Sequence, residues 1–132
     1  MYFRTAALIA LTLSNSQDAT FGGSVSDEKG NLRSIPSVAK SGAHTLVATD
    51  AGKTIYTSTG GVTVPNSVLS AGDAITIINN SGSDQTITQG SGFTLYNTAD
   101  ASTGNRTLAG RGMATIWFAS ASAGYIGGGG LS

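Results

Sequence analysis

The chain has 132 residues, seven basic and seven acidic, with one histidine and no cysteine. That length fits one domain with room for an appendage, and the absence of cysteine excludes disulfide frameworks, thiol catalysis and cysteine-based metal sites. Charged residues make up only 11% of the chain, against about 25% in ordinary soluble domains, so neither nucleic acid, which needs a basic stripe, nor an anionic membrane is an expected partner.

Gly, Ala, Ser and Thr together account for 70 of the 132 residues, and aromatics for 7%. Small side chains are cheap to order but bury little apolar area each, which leaves a lone subunit with a thin core. Stability drawn partly from neighbouring copies or partners is therefore expected. The charge is also uneven. Residues 1–53 carry nine of the fourteen charges, and the rest of the chain has only Asp73, Asp84, Asp100, Arg106 and Arg111.

Residues 1–13, MYFRTAALIALTL, have the outline of a signal peptide, with Arg4 before a short apolar run and a poor cleavage site at Gln17-Asp18-Ala19. The run is too short to span a bilayer. It is read as a retained arm, with Leu8, Ile9, Leu11 and Leu13 lining a strand or one helical turn. Residues 14–42 are small and polar, with a turn cluster at Asp27-Glu28-Lys29-Gly30-Asn31 and a proline at Pro36. This stretch lacks the apolar density for a core of its own. The expected organisation is an extended arm over residues 1–42, able to reach on the order of 130 Å, and a compact β-domain over residues 43–132.

The domain begins near His44. Thr45–Thr49 and Thr54–Ser58 read as strands joined by a turn at Asp50-Ala51-Gly52-Lys53, and Val62–Val64 follows the break at Gly60-Gly61. Val68 and Leu69 are placed in the core ahead of a turn at Ala71-Gly72-Asp73. Asp73–Gln89 reads as a hairpin closed by Ser81-Gly82-Ser83, with Ile77 opposite Ile87 and Ile75 opposite Gln89 on a buried face. Its other face is rich in threonine. Phe93–Tyr96 is a further strand, Asn97–Asn105 a polar loop, Arg106–Leu108 a short strand and Arg111–Ala119 a central one. Tyr125-Ile126 leads into the glycine run Gly127–Gly130. No segment sustains a helical period, so the expected fold is all-β, an antiparallel sandwich of jelly-roll type.

Motifs for chemistry are few. Ala51-Gly52-Lys53-Thr54 ends like a phosphate-binding loop, but Val47 stands where that loop needs its first glycine, and a strand former follows instead of a helix. His44 has no nucleophile context near it, and the carboxylates stand singly, mostly in turns, without the facing pair a glycosidase needs. A single histidine does not build a zinc site, and no calcium loop is present. No catalysis, cofactor or metal is expected. Trp117, Tyr96, Phe93 and Tyr125 together suggest a sugar platform, although their apolar neighbours assign most of them to the core. Arg106 and Arg111 are candidates for bonds to a neighbouring subunit's carboxylates.

Three stretches carry a family resemblance: VSDEKGNLRSIP; HTLVATDAGKTIYTSTGGVTVPNSVLSAGDAITIINNSGSDQTITQGSGFTL; and STGNRTLAGRGMATIWFA with the terminal GGGGLS. They resemble a β-module of tailed-bacteriophage virion proteins, found in capsid decoration (cement) proteins and in head or tail fibres. The resemblance spans about Val25–Ser132, and GGVTVP…AGDAITIINNSG and TGNRTLAGRGMAT are its most specific parts. It implies a structural virion subunit, usually a homotrimer, without catalysis. A short chain with an arm and one β-domain, lacking a fibre shaft, suits a cement protein on the outer capsid surface with the major capsid protein as partner. On that expectation Tyr2, Phe3, Arg4, Phe21, Lys29 and Arg33 are the capsid-contact candidates of the arm. The alternative is a short head-fibre or tail-tip protein that binds host-surface glycan.

Overall fold

The computed structural model describes residues 2–5, 8–16, 18–28, 30–32 and 34–132. These divide into two compact units, residues 1–35 and residues 36–132. The boundary expected after residue 42 is therefore corrected to the Ile35–Pro36 junction, because the residues just beyond Pro36 belong to the main sheet.

The first unit is folded and not an extended arm. Strand β1 (Tyr2–Thr5) pairs antiparallel with β2 (Leu8–Leu13), and β2 pairs with β3 (Ala19–Phe21). The turn between β2 and β3 is closed by Ser14, whose Oγ accepts from the amides of Ser16 and Asp18. The acidic turn cluster sits in a hairpin of β4 (Ser26–Asp27) and β5 (Gly30–Asn31), where Asp27 Oδ1 accepts from the Gly30 amide.

The second unit holds β6 (Ser37–Lys40), β7 (His44–Thr45), a short 3-10 turn (Ala48–Asp50), β8 (Thr54–Thr57), β9 (Val62–Val64), β10 (Ala74–Asn79), β11 (Gln85–Gln89), β12 (Thr94–Asn97), β13 (Arg106–Ser120) and β14 (Ala123–Leu131). All of these strands join one sheet, which curls until it is nearly closed into a barrel. The all-β class is as expected, but the pairing is mixed instead of antiparallel throughout. β6, β8 and β10 run parallel to one another, as do β7, β9 and β11, and β12 runs parallel to β14. Only the pairs made by β13 are antiparallel.

The Asp73–Gln89 stretch is not a hairpin. β10 lies along residues 113–117 of β13 and β11 continues along residues 106–108, so the two form one interrupted pass beside a single long strand. The same break recurs in the neighbouring passes, at residues 41–43 between β6 and β7 and at residues 58–61 between β8 and β9. In β13, residues 109–112 are a break in register on either side of which pairing resumes. The breaks stack at one level and form the corner at which the sheet bends.

Asn79 holds that corner. It is fully buried, and its Nδ2 donates to the carbonyls of Ser83, Leu108 and Ala109 at 2.8–3.0 Å. Its Oδ1 accepts from the amide and hydroxyl of Ser81. Gln85 extends the stitching, with Oε1 accepting from the Gly61 amide, and the Gly61 carbonyl accepts from the His44 amide. Gly61 has φ +70, and a Cβ there would lie 2.4 Å from the Thr86 carbonyl oxygen. Gly61→Ala therefore combines a left-handed backbone with a main-chain clash, and is expected to destabilise the second unit by about 2–3 kcal/mol. Urea unfolding of the variant beside the parent measures that loss.

The core lies inside the curl. Ile55, Ile77 and Ala114 form one inward row across β8, β10 and β13, and Ile75, Ile116 and Ile126 form the next. Phe118 packs on Phe93 with ring centroids 5.6 Å apart. Ile75, Ile77 and Ile87 are all buried, as their expected shared face required, although Ile77 stands opposite Ala114 and Ile87 opposite Arg106. Two further expectations are corrected. The strand expected at Thr45–Thr49 ends at Thr45, because Asp50 Oδ2 accepts from the Val47 amide and curls the chain. Val68 is exposed while its neighbour Leu69 fills the core.

Candidate functional site: the uncharged outer face of the sheet

Period-two alternation sends every second residue of β8, β10, β13 and β14 outward. Three lateral rows result. One runs Ala39, Tyr56, Ile78, Met113 and Gly129; the next Ser37, Thr54, Thr76, Thr115 and Gly127; the third Ala74, Trp117, Tyr125 and Tyr96. None of these positions is charged. Met113 is 53% exposed, Trp117 50% and Tyr125 44%. Thr76 and Thr115 share a hydroxyl–hydroxyl bond of 2.9 Å, so the middle row is a polar seam between two apolar ones. A shallow open depression of about 190 Å³ borders the first row, lined by Ala39, Lys40, Ser41, Tyr56, Ser58 and Asn80.

The aromatic row is only partly what a sugar platform requires. Such a platform offers ring faces to the ligand. Tyr96 and Tyr125 instead stack on one another, centroids 5.2 Å apart and planes 22° apart, and Trp117 leans on Tyr125 at 6.3 Å. Tyr125 thus has neighbouring rings on both sides. Phe93, the fourth ring expected there, is buried in the core against Phe118 and takes no part.

The two arginines of β13 part ways. Arg111 has φ +66 in the break of the strand, is exposed, and donates through Nη1 to the carbonyl and Oδ1 of Asn80 at 3.2 and 2.6 Å. Arg106 points inward, only 9% exposed, level with Ile87 and Val62. Among the arm candidates, Tyr2, Phe3 and Arg4 fall on β1, and Phe21 ends β3 with 46% of its surface exposed. Lys29 and Arg33 lie outside the described residues. His44 is largely buried, its Nε2 2.8 Å from Asp50 Oδ2, a contact that ties the start of β7 to the 3-10 turn. Thr54 opens β8, so the Gly52-Lys53-Thr54 sequence is a turn into a strand.

Sequence reading named Trp117 and Tyr125 and set Ile78 on the threonine-rich face, but it missed Tyr56 and gave Met113 no face. The signal was present in the alternation of Thr54–Thr57 and Arg111–Phe118, where one set of positions must face away from the core.

No protein-family model matches the chain, and no match was found among curated proteins or solved structures.

Proposed function

We propose that the chain is a non-catalytic structural subunit of a phage virion, a capsid cement protein that assembles as a homotrimer on the outer surface of the shell and stabilises it. The observation that carries this reading is the outer face just described. Three adjoining rows without a charge display Tyr56, Met113, Trp117 and Tyr125 beside threonine hydroxyls. A face of that composition resembles the buried centre of a subunit interface, which is depleted of charge and enriched in aromatics and methionine. The first unit, with Phe21 exposed, is the part left to meet the major capsid protein. A protein that binds only the assembled shell stabilises it by mass action.

Two measurements test the proposal. In purified virions that contain this chain, the ratio to major capsid protein is expected to be near-stoichiometric, and a few dozen copies or fewer per particle would overturn the cement role. The double variant Met113→Glu/Trp117→Glu is expected to fold, since both side chains are half in solvent and exposed sites usually cost under about 0.5 kcal/mol each. It should sediment as a monomer where the parent is a trimer. A trimer that survives both charges excludes this face as the subunit contact.

A second reading, a short fibre or tail-tip protein that binds host glycan, is favoured by Trp117 standing half-exposed in the row next to the Thr76–Thr115 hydroxyls. A glycan array probed with the parent and Trp117→Ala separates the two. Saccharide binding lost with the ring supports it, and silence across host polysaccharides removes it.

A further inference from the structure

Two charged side chains are buried in the second unit, and the fold treats them differently. The Asp50 carboxylate accepts from the Val47 amide and meets His44 at 2.8 Å. Arg106 is about as deeply buried, yet its Nε and Nη2 have no hydrogen-bond partner. These two nitrogens share one edge of the guanidinium, with parallel N–H bonds spaced to meet the two oxygens of one carboxylate or phosphate group. Buried N–H groups left without an acceptor are costly, the more so on a charged group.

The side-chain amide oxygens of Gln89, Asn105 and Asn97 in the adjoining segments are already engaged. Gln89 Oε1 accepts from the Leu95 and Gly104 amides, Asn105 Oδ1 from the Gln89 amide, and Asn97 Oδ1 from the Ala99 amide. Asp100 is an acidic group on which the charge of Arg106 acts. Its carboxyl is held below the usual range, first by the Ser102 hydroxyl and amide bonds, with the charge of Arg106 contributing. Asp100 itself is exposed, with its Oδ1 taken up by Ser102. Residues 98–103, the part of that loop nearest β12, are exposed throughout, so displacing them uncovers little apolar surface.

We propose that Arg106 is a receptor for an external oxyanion, taken bidentate across its Nε/Nη2 edge where the Thr98–Asn105 loop leads into β13. The oxyanion is either a free carboxylate or phosphate, or a side-chain carboxylate of a second copy of this chain. The site is independent of the cement reading, since it stands on the unpartnered edge alone.

The test uses the full chain and three proteins: the parent, Arg106→Lys, which keeps the charge but not the fork, and Arg106→Met, which keeps the stem. Melting temperature is measured in sodium phosphate and sodium acetate against sodium chloride at matched ionic strength, and sedimentation is followed over a range of protein concentrations. A free-anion site predicts a melting temperature that climbs with phosphate or acetate in the parent. The apparent affinity should fall roughly tenfold in the lysine variant, and the response should vanish in the methionine variant. A second-copy site predicts concentration-dependent assembly lost in Arg106→Met, with no anion response. The Arg106 Nε–H resonance of the parent gives a readout that needs no variant, because it moves as either partner binds. A resonance indifferent to phosphate, acetate and protein concentration, with the parent and Arg106→Met alike in both arms, overturns the proposal.

Discussion

Asn79→Ala is expected to lower the melting temperature of the second unit by roughly 15 °C, the largest effect of any single polar substitution in the fold. The side chain is fully buried and serves both sides of the corner at once. Alanine leaves the Ser83, Leu108 and Ala109 carbonyls and the Ser81 amide short of a partner. The Ser83 carbonyl keeps the Ser81 hydroxyl as a donor, whereas the bond lost at the Leu108 carbonyl is a buried one. Buried groups stranded in this way cost about 1–3 kcal/mol each, and a net loss near 3 kcal/mol corresponds to about 12–24 °C in a domain of this size. Thermal unfolding followed by circular dichroism measures it. A shift below about 4 °C would mean that the corner is held by its backbone pairing alone. Ser81→Ala, which removes one hydroxyl from the same network, should cost well under half as much.

The second large effect separates two truncations that differ by five residues. Removal of residues 1–35 is expected to leave a cooperatively folding body, because the compact unit begins at Pro36. Removal of residues 1–40 takes β6 with it. The Thr54 amide loses the Pro36 carbonyl, the Ser58 amide and hydroxyl lose the Lys40 carbonyl, and Val38 no longer packs on the core. The expected difference between the truncations is roughly 2–4 kcal/mol, from one half-buried aliphatic side chain and a strand's worth of hydrogen bonds. Urea midpoints at a common slope give that difference directly. Equal midpoints would show that β6 is an ornament of the sheet and that the boundary belongs after residue 40. If the shorter truncation also fails to bind capsids while staying folded, the first unit is the attachment device of the proposed cement protein.

Much of the fold was legible in the sequence because a strand announces itself locally. The alternation of Ile75 and Ile77 with Thr76 identified both the strand and its buried face, and the glycines at 60–61 and 72 marked bends where the chain does turn. Connectivity was not legible at Ser81-Gly82-Ser83. A hairpin loop and a corner between two collinear strands use the same small residues, and both keep Ile77 and Ile87 facing one way. What distinguishes them is the partner, β13, which arrives some twenty-five residues later in the chain. The burial of Asn79, invisible in an Ile-Ile-Asn-Asn run, is the physical mark of the corner. The glycine run was misleading in the opposite sense. No strand was assigned to Gly127–Gly130, yet it is strand, and at Gly128 a Cβ would fall 2.2 Å from the Met113 carbonyl oxygen, so close approach to β13 requires it. At the candidate site the rings were visible but not their orientation, since stacking of Tyr96 on Tyr125 depends on β12 and β14 being parallel neighbours. For Arg106 the sequence offered charge and position, whereas its inward direction follows from the register with Ile87.

The junction at Pro36 also has a mechanical meaning. The first unit is joined to the body through β6, whose bonds to β8 run between parallel strands. A pull along that strand loads the Thr54–Pro36 and Ser58–Lys40 bonds together, in shear, where a tug across it would open them one at a time. Tension carried from the N-terminal unit therefore meets the sheet at a row of bonds that share the load, with the hub at Asn79 two strands further in.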